Sequence, residues 1–164
     1  MRVHFFCFCG GIMVIAFCGQ SLCYSTEKLA MKVSETLRLA VGDKEADIYV
    51  GAYGIFDRLA LGCCINYKKE HPGVRVFLVT PFSDVEYEKK HIKPICDGVD
   101  EVVYPPVQNV APRYATAEAI KWAVDKADTV IAHIDRNFGV AYRSYQYAKA
   151  LGRKIINLAD KRIK

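Results

Sequence analysis

The chain contains no Gly-x-Gly-x-x-Gly fingerprint and no P-loop, so no single nucleotide-binding motif declares itself. It has no Cys-x-x-Cys pair and no cysteine/histidine cluster at zinc spacing, and no metal or cofactor is expected. The apolar run from Phe5 to Cys18 is too short for a membrane-crossing helix, which needs about 20 residues. Acidic residues are scarce at the C-terminal end: between Arg136 and Lys164 only Asp160 stands against eight lysines and arginines. That excess exceeds the net charge of the whole chain, +5, so the basic character is a local feature.

What is present is an ordinary globular composition. In 164 residues, 52% are apolar and 25% charged, with 11 glycines and 6 prolines, which excludes collagen-like, low-complexity and wholly disordered chains. This length favours one domain that buries roughly 70% of the unfolded surface. Seven cysteines, an odd number without a framework spacing, read as reduced thiols and hence a cytoplasmic protein. Cys63 and Cys64 are adjacent on a helix, where side chains diverge, so packing is their expected role. The apolar stretch after Arg2 also fits a signal-peptide core. Cleavage, however, would remove Met13–Cys18, which reads as the first strand. The expected organisation is an N-terminal extension over 1–12, one domain over 13–159 and a basic tail over 160–164.

The spacing predicts alternating strands and helices. Strands are expected at Met13–Cys18, Ile48–Val50, Val74–Thr80, Val99–Tyr104, Thr129–Ile134 and Lys154–Leu158. Helices are expected from the Ser25 N-cap to Val41, from Phe56 to a stop at His71-Pro72-Gly73, after a Ser83 cap, over Ala115–Lys126 and over Tyr142–Leu151. Such alternation means parallel pairing through right-handed crossovers. The fold class is therefore α/β: a single-domain Rossmann-like three-layer sandwich with a mostly parallel sheet of about six strands.

Ligands bind such sheets beyond the carboxyl ends of the strands, where helix N-termini and glycine turns present amide hydrogens. Three glycine-bearing turns fall there: Gly19-Gln20-Ser21, Gly51-Ala52-Tyr53-Gly54-Ile55-Phe56-Asp57 and Asn137-Phe138-Gly139-Val140-Ala141. Singly, each glycine is explained by a tight turn; together, the three point to a phosphate-bearing small molecule. The expected site residues are Gly19, Ser21, Gly51, Gly54, Asp57, Asn137 and Gly139. Asp57 serves either the helix dipole or a ribose hydroxyl. His133 and Asp135 read as a stabilising pair rather than an acid/base couple, and Arg113 as a solvated arginine within reach of a phosphate. His4, His71 and His91 receive no role, and a nucleobase is expected to stack on the Tyr142, Tyr145 and Tyr147 helix.

These stretches, with Tyr67-Lys-Lys-Glu-His-Pro72, Lys126-Ala-Asp128-Thr-Val-Ile131 and Tyr147-Ala-Lys-Ala-Leu-Gly152, resemble the SLOG superfamily of Rossmann-like proteins, and within it the YpsA-like bacterial branch, over about Met13 to Leu158. The resemblance implies a pocket for a nucleotide or nucleotide derivative, formed by the three glycine loops. Several positions depart from that branch. Gly-His-Arg becomes Gly19-Gln20-Ser21, Ala52 and Ile55 replace two glycines, Ala119-Ile120 replaces Arg-Asn, and a Gly-Gly pair becomes Gly139-Val140. The pocket is accordingly expected to be narrower and less cationic.

The related LOG phosphoribohydrolases carry a PGGxGTxxE signature, whereas Val140–Tyr147 has no carboxylate. Binding, in a sensor or accessory role, therefore ranks above N-glycosidic hydrolysis of a nucleoside phosphate. Single-stranded nucleic-acid binding through the basic C-terminal segment ranks below a simply solvated face. The expected partner is a small nucleotide-like ligand with no membrane; self-association through a sheet edge or helix pair is compatible with the pattern.

Overall fold

Four consecutive buried residues, Ile15, Ala16, Phe17 and Cys18, mark strand β1 (Met13–Gly19) as covered on both faces. All five residues of β5 (Thr129–His133) are buried in the same way. The computed structural model describes residues 11–20 and 26–160. Within them the element order is β1, α1 (Thr26–Val41), β2 (Ala46–Val50), α2 (Ile55–Glu70), β3 (Val74–Val79), α3 (Val85–Tyr87), a π turn over Glu88–Ile92, β4 (Glu101–Val103), α4 (Pro112–Lys126), β5, α5 (Gly139–Ala150) and β6 (Lys154–Asn157). The six strands form one sheet in the order β4-β3-β2-β1-β5-β6, and every neighbouring pair is parallel. β1 is central: Ile15 lies opposite Ile48 on one side and Thr129 on the other. This is the Rossmann-like α/β architecture expected from the alternation, and its strand order reverses between β1 and β5.

Alternation within the strands builds two cores. Ile15, Phe17, Ile48, Val76, Leu78 and Ile131 face α1 and α2, which contribute Leu29, Val33, Leu37, Phe56 and Ala60. On the opposite face Ala16, Cys18, Val130 and Ala132 meet Ala123 and Val124 of α4 and Ala148 of α5. Small side chains on this second face let the helices approach the sheet closely. Two aspartates close strand ends by the same device. Asp128 accepts the Val14 N–H at 2.8 Å and Asp100 accepts the Val76 N–H at 2.7 Å, which satisfies amides the ladder leaves over.

Three expected boundaries shift for identifiable reasons. The helix after β3 is capped by Asp84 rather than Ser83, because Asp84 Oδ1 accepts the Tyr87 N–H at 2.8 Å. α4 begins at Pro112 instead of Ala115, since proline is pre-set for a first helical position. α5 begins at Gly139, three residues before Tyr142, because Gly139 has a φ of +91° that lets the chain turn into the helix. The expected Ser25 cap, Ser21 and the 161–164 part of the basic tail lie outside the described residues. No helix among the described residues is long and apolar enough to cross a membrane.

Leu37 is wholly buried between α1 and the sheet. Leu37→Ala is expected to lower the unfolding free energy by about 2–5 kcal/mol with an unchanged m-value in urea denaturation.

Candidate functional site at the strand-order reversal

Parallel strands send all their carboxyl ends to one rim, and the reversal between β1 and β5 opens a crevice there because the following loops diverge. The crevice has a volume of about 740 Å³. Its floor is set by Gly19. A Cβ on this residue would lie 1.9 Å from the Phe56 ring, so only glycine admits the start of α2 against the end of β1. The next residue, Gln20, is buried and spends its whole amide on the loop after β5. Its Nε2 donates to the carbonyls of Arg136 at 2.9 Å and Phe138 at 3.5 Å, while its Oε1 accepts the N–H groups of Asp135 at 2.9 Å and Arg136 at 3.2 Å. One side chain thereby positions the first and third glycine loops relative to each other.

The second loop folds inward. The Tyr53 ring lies over Gly51, where a Cβ would sit 2.4 Å from it, and the Tyr53 hydroxyl donates to the Val79 carbonyl at 3.0 Å. The Asp57 carboxylate accepts the Tyr53 N–H at 3.1 Å and is also hydrogen-bonded by the Gly54 N–H. These amides are therefore satisfied from within the chain. Burial pushes the Asp57 carboxyl up to about 7, against the opposing pull of the two amides. Nearby, the Cys18 thiol donates to the Ala141 carbonyl at 3.2 Å, and burial followed by the Asp57 charge pushes it up to about 12. It is a packing group rather than a nucleophile.

The third loop carries Asn137 and Phe138 on the surface, with Phe138 63% exposed. α5 starts behind it without a side-chain cap, and Gly139, Val140 and Ala141 of its first turn line the crevice. Three arginines from three elements line the same cavity: Arg58 of α2, Arg113 of α4 and Arg136 after β5. Arg136 is held by Asp135 at 3.2 Å and lies over the Phe138 ring; Arg113 lies over the Tyr114 ring. Arg58 forms no ion pair among the described residues. Phe82, Tyr87 and His91, after β3, and Thr116 and Ile120 of α4 form further parts of the wall.

Gly19, Asp57 and Gly139 thus line the cavity. Gly51 lies in a small separate crevice behind the Tyr53 ring, and Gly54 and Asn137 do not line either space. Gly54 caps α2 in an extended conformation, φ −160°, that any residue adopts. Ser21 lies outside the described residues. The expected narrowing is only half realised: Val140 lines the cavity, but Ile55 points outward and is 45% exposed. Three arginines, Arg58, Arg113 and Arg136, supply cationic character to the cavity. His133 and Asp135 do not pair. The His133 ring stacks on Phe56, its Nδ1 has no hydrogen-bond partner among the described residues, and burial lowers its pKa, while Asp135 is taken by Arg136. The tyrosines of α5 are likewise not a stacking platform for the cavity. All three pack against the α4-side core, and the Tyr147 hydroxyl donates to Asp125. Among the described residues no group of three or more His, Cys, Asp or Glu side chains is placed to hold a metal.

No protein-family model and no curated protein matches the chain. Solved structures do. DNA processing protein A from Streptococcus pneumoniae superposes with a TM-score of 0.59 at 16% identity, over 88% of this chain and 49% of that one. The chain therefore spans about half the length of that protein. The Moco carrier protein from Chlamydomonas reinhardtii gives 0.55 at 14% identity over 92% and 78%, and the structural-genomics target TM1055 gives 0.53 at 12% over 88% and 72%. At these identities the likeness establishes the fold: this is a Rossmann-like α/β protein with a crevice at its strand-order reversal. It is also the fold that the SLOG resemblance implies.

Two measurements probe the site. Gln20→Ala leaves buried amides of the third loop unpaired, so stability is expected to fall by about 2 kcal/mol. The amides of Asp135 and Arg136 should exchange faster with solvent, and unchanged protection there would show that the loop does not need Gln20. The native state holds the Asp57 proton more tightly than the unfolded chain, whose carboxyl titrates near 3.8. The contribution of Asp57 to stability is therefore full below about pH 4 and is lost as pH rises through about 7. In urea denaturation, Asp57→Asn should gain on the wild type across that interval and keep a constant difference above it; a pH-independent difference throughout would contradict the raised pKa.

Proposed function

We propose that the crevice binds a nucleotide or a nucleotide-derived molecule, in a cytoplasmic protein of SLOG kinship that acts as a sensor or accessory. The observation that carries this reading is the convergence of Arg58, Arg113 and Arg136, from three separate elements, on one cavity that also receives the uncapped start of α5. Guanidinium groups and the uncapped amides of a helix start together suit a phosphate. The Asp57 carboxyl stands in the first turn of α2, holds the loop amides of Tyr53 and Gly54, and when ionised would repel a second anion there. The phosphate accordingly goes to the Gly19 and Gly139 end. Asp57, an acceptor when ionised, is left to receive a ribose hydroxyl. Gly51, Gly54 and Asn137 shape the surrounding loops.

A second reading rests on Asp57 alone. A buried carboxyl that titrates near neutrality in a cavity is suited to proton transfer, which an N-glycosidic hydrolase needs. One experiment separates the two. Thermal shifts and calorimetry with AMP, GMP, ADP and ADP-ribose are expected to show binding that weakens at least tenfold in Arg113→Ala and in Arg58→Ala, with no base released. Base release by the wild type that is lost in Asp57→Asn would replace the sensor reading with the hydrolase. Absence of any shift across the panel would overturn both.

A further inference from the structure

The cavity is chemically polarised, and the end opposite the phosphate-binding loops has its own construction. Phe82, Tyr87 and His91 form a continuous run of rings on the connection after β3. Phe82 lies 4.9 Å from Tyr87, and Tyr87 lies 4.7 Å from His91, centroid to centroid. All three line the crevice. Tyr87 also packs its other side against the α1–α2 core, but Phe82 and His91 belong to neither core cluster. Two half-buried rings therefore border the cavity without an apolar partner of their own on that side.

The run is fixed in place by backbone and side-chain bonds. The Phe82 N–H donates to Thr80 Oγ1 at 3.3 Å, and Thr80 is fully buried. Asp84 caps the short α3, and the π turn that follows is closed by the Lys93 N–H donating to the Glu88 carbonyl at 2.9 Å. Tyr87 and His91, four residues apart, thereby share one face of this widened turn. Glu88 accepts the Tyr104 hydroxyl and so ties the turn to the end of β4. No residue of this connection was singled out for chemistry by its sequence.

We infer that Phe82, Tyr87 and His91 form a nucleobase subsite, so that the ligand of this cavity is a nucleoside phosphate read at both ends rather than a sugar phosphate or free phosphate. The inference rests on the phosphate assignment above and adds the base to it. The strand order supports the span: β2 and β1 lie between β3, which carries the rings, and β5, which carries Arg136 and Gly139. Three strand spacings, about 14 Å, separate the two ends. A ligand reaching from one to the other crosses Asp57, in the first turn of α2 after the intervening β2, where the sugar belongs. The rings supply stacking surface for a planar base, and the imidazole of His91 adds a nitrogen able to hydrogen-bond its edge.

The test compares AMP, GMP, CMP and UMP with ribose 5-phosphate by calorimetry, on the full chain and on Phe82→Ala and His91→Ala, with circular dichroism to verify folding. At least one nucleotide is expected to bind about tenfold or more tightly than ribose 5-phosphate. Phe82→Ala is expected to bring that nucleotide down to the affinity of ribose 5-phosphate, which itself does not change. His91→Ala is expected to weaken the nucleotide alone and independently of Phe82. Ribose 5-phosphate binding as tightly as every nucleotide would overturn the base subsite and leave the phosphate assignment standing. Failure of all five probes to bind would overturn both. Nucleotide affinity unaltered in both variants would place the base elsewhere and overturn the inference.

Discussion

The contact between the Phe56 ring and the bare Cα of Gly19 governs the geometry of the whole rim. With no side chain at the end of β1, the aromatic ring enters where a Cβ would stand and is stacked from its other side by His133 at 5.6 Å. The start of α2 is thereby pinned to the centre of the sheet. Asp57 and Arg58, the next two residues, are placed by the helix that Phe56 anchors. The loop before them is too short to run outward, and it folds back with Tyr53 over Gly51.

That arrangement gives the rim an internal carboxyl that ionises near neutrality. In many strand-to-helix turns, the amides at the helix start are left for a ligand; here the second loop donates two of its own to Asp57. Electrostatics then sorts the crevice along its length, with the carboxylate in the middle and guanidinium groups nearby. Gln20 has a parallel function. At a position where the SLOG resemblance implies an imidazole, an amide is used to brace the loop after β5. The positive charge is supplied instead by arginines on α2, α4 and that braced loop.

The fold was readable in the sequence because its signals are local. Runs such as Ile15–Cys18 and Thr129–His133 show double-faced burial directly, and the helical spacing of Phe56, Ala60 and Cys64 marks the inner face of α2. The site was readable only in part. Gly19, Asp57 and Gly139 border strand ends and could be found from the turns that contain them. Arg113 was visible only as a candidate, and Arg58, Phe82, Tyr87 and His91 reach the same cavity through connections whose paths no periodicity encodes. The segment after β3 has a polar surface pattern, and its inward rings are apparent only once the π turn is seen. The α5 tyrosines misled for the converse reason: aromatic residues at helical spacing are also what a packed helix shows, and α4 covers them.

The two outermost strands have a consequence for the behaviour of the protein in concentrated solution. β4 is only three residues long and begins with an exposed glutamate, and β6 is four residues long and begins with an exposed lysine. A foreign strand seeking to extend the sheet would find few unpaired backbone groups and a charged doorstep at either end. Short, charged margins of this kind discourage runaway strand addition and amyloid-like growth, although the interior of the sheet is rich in valine and isoleucine.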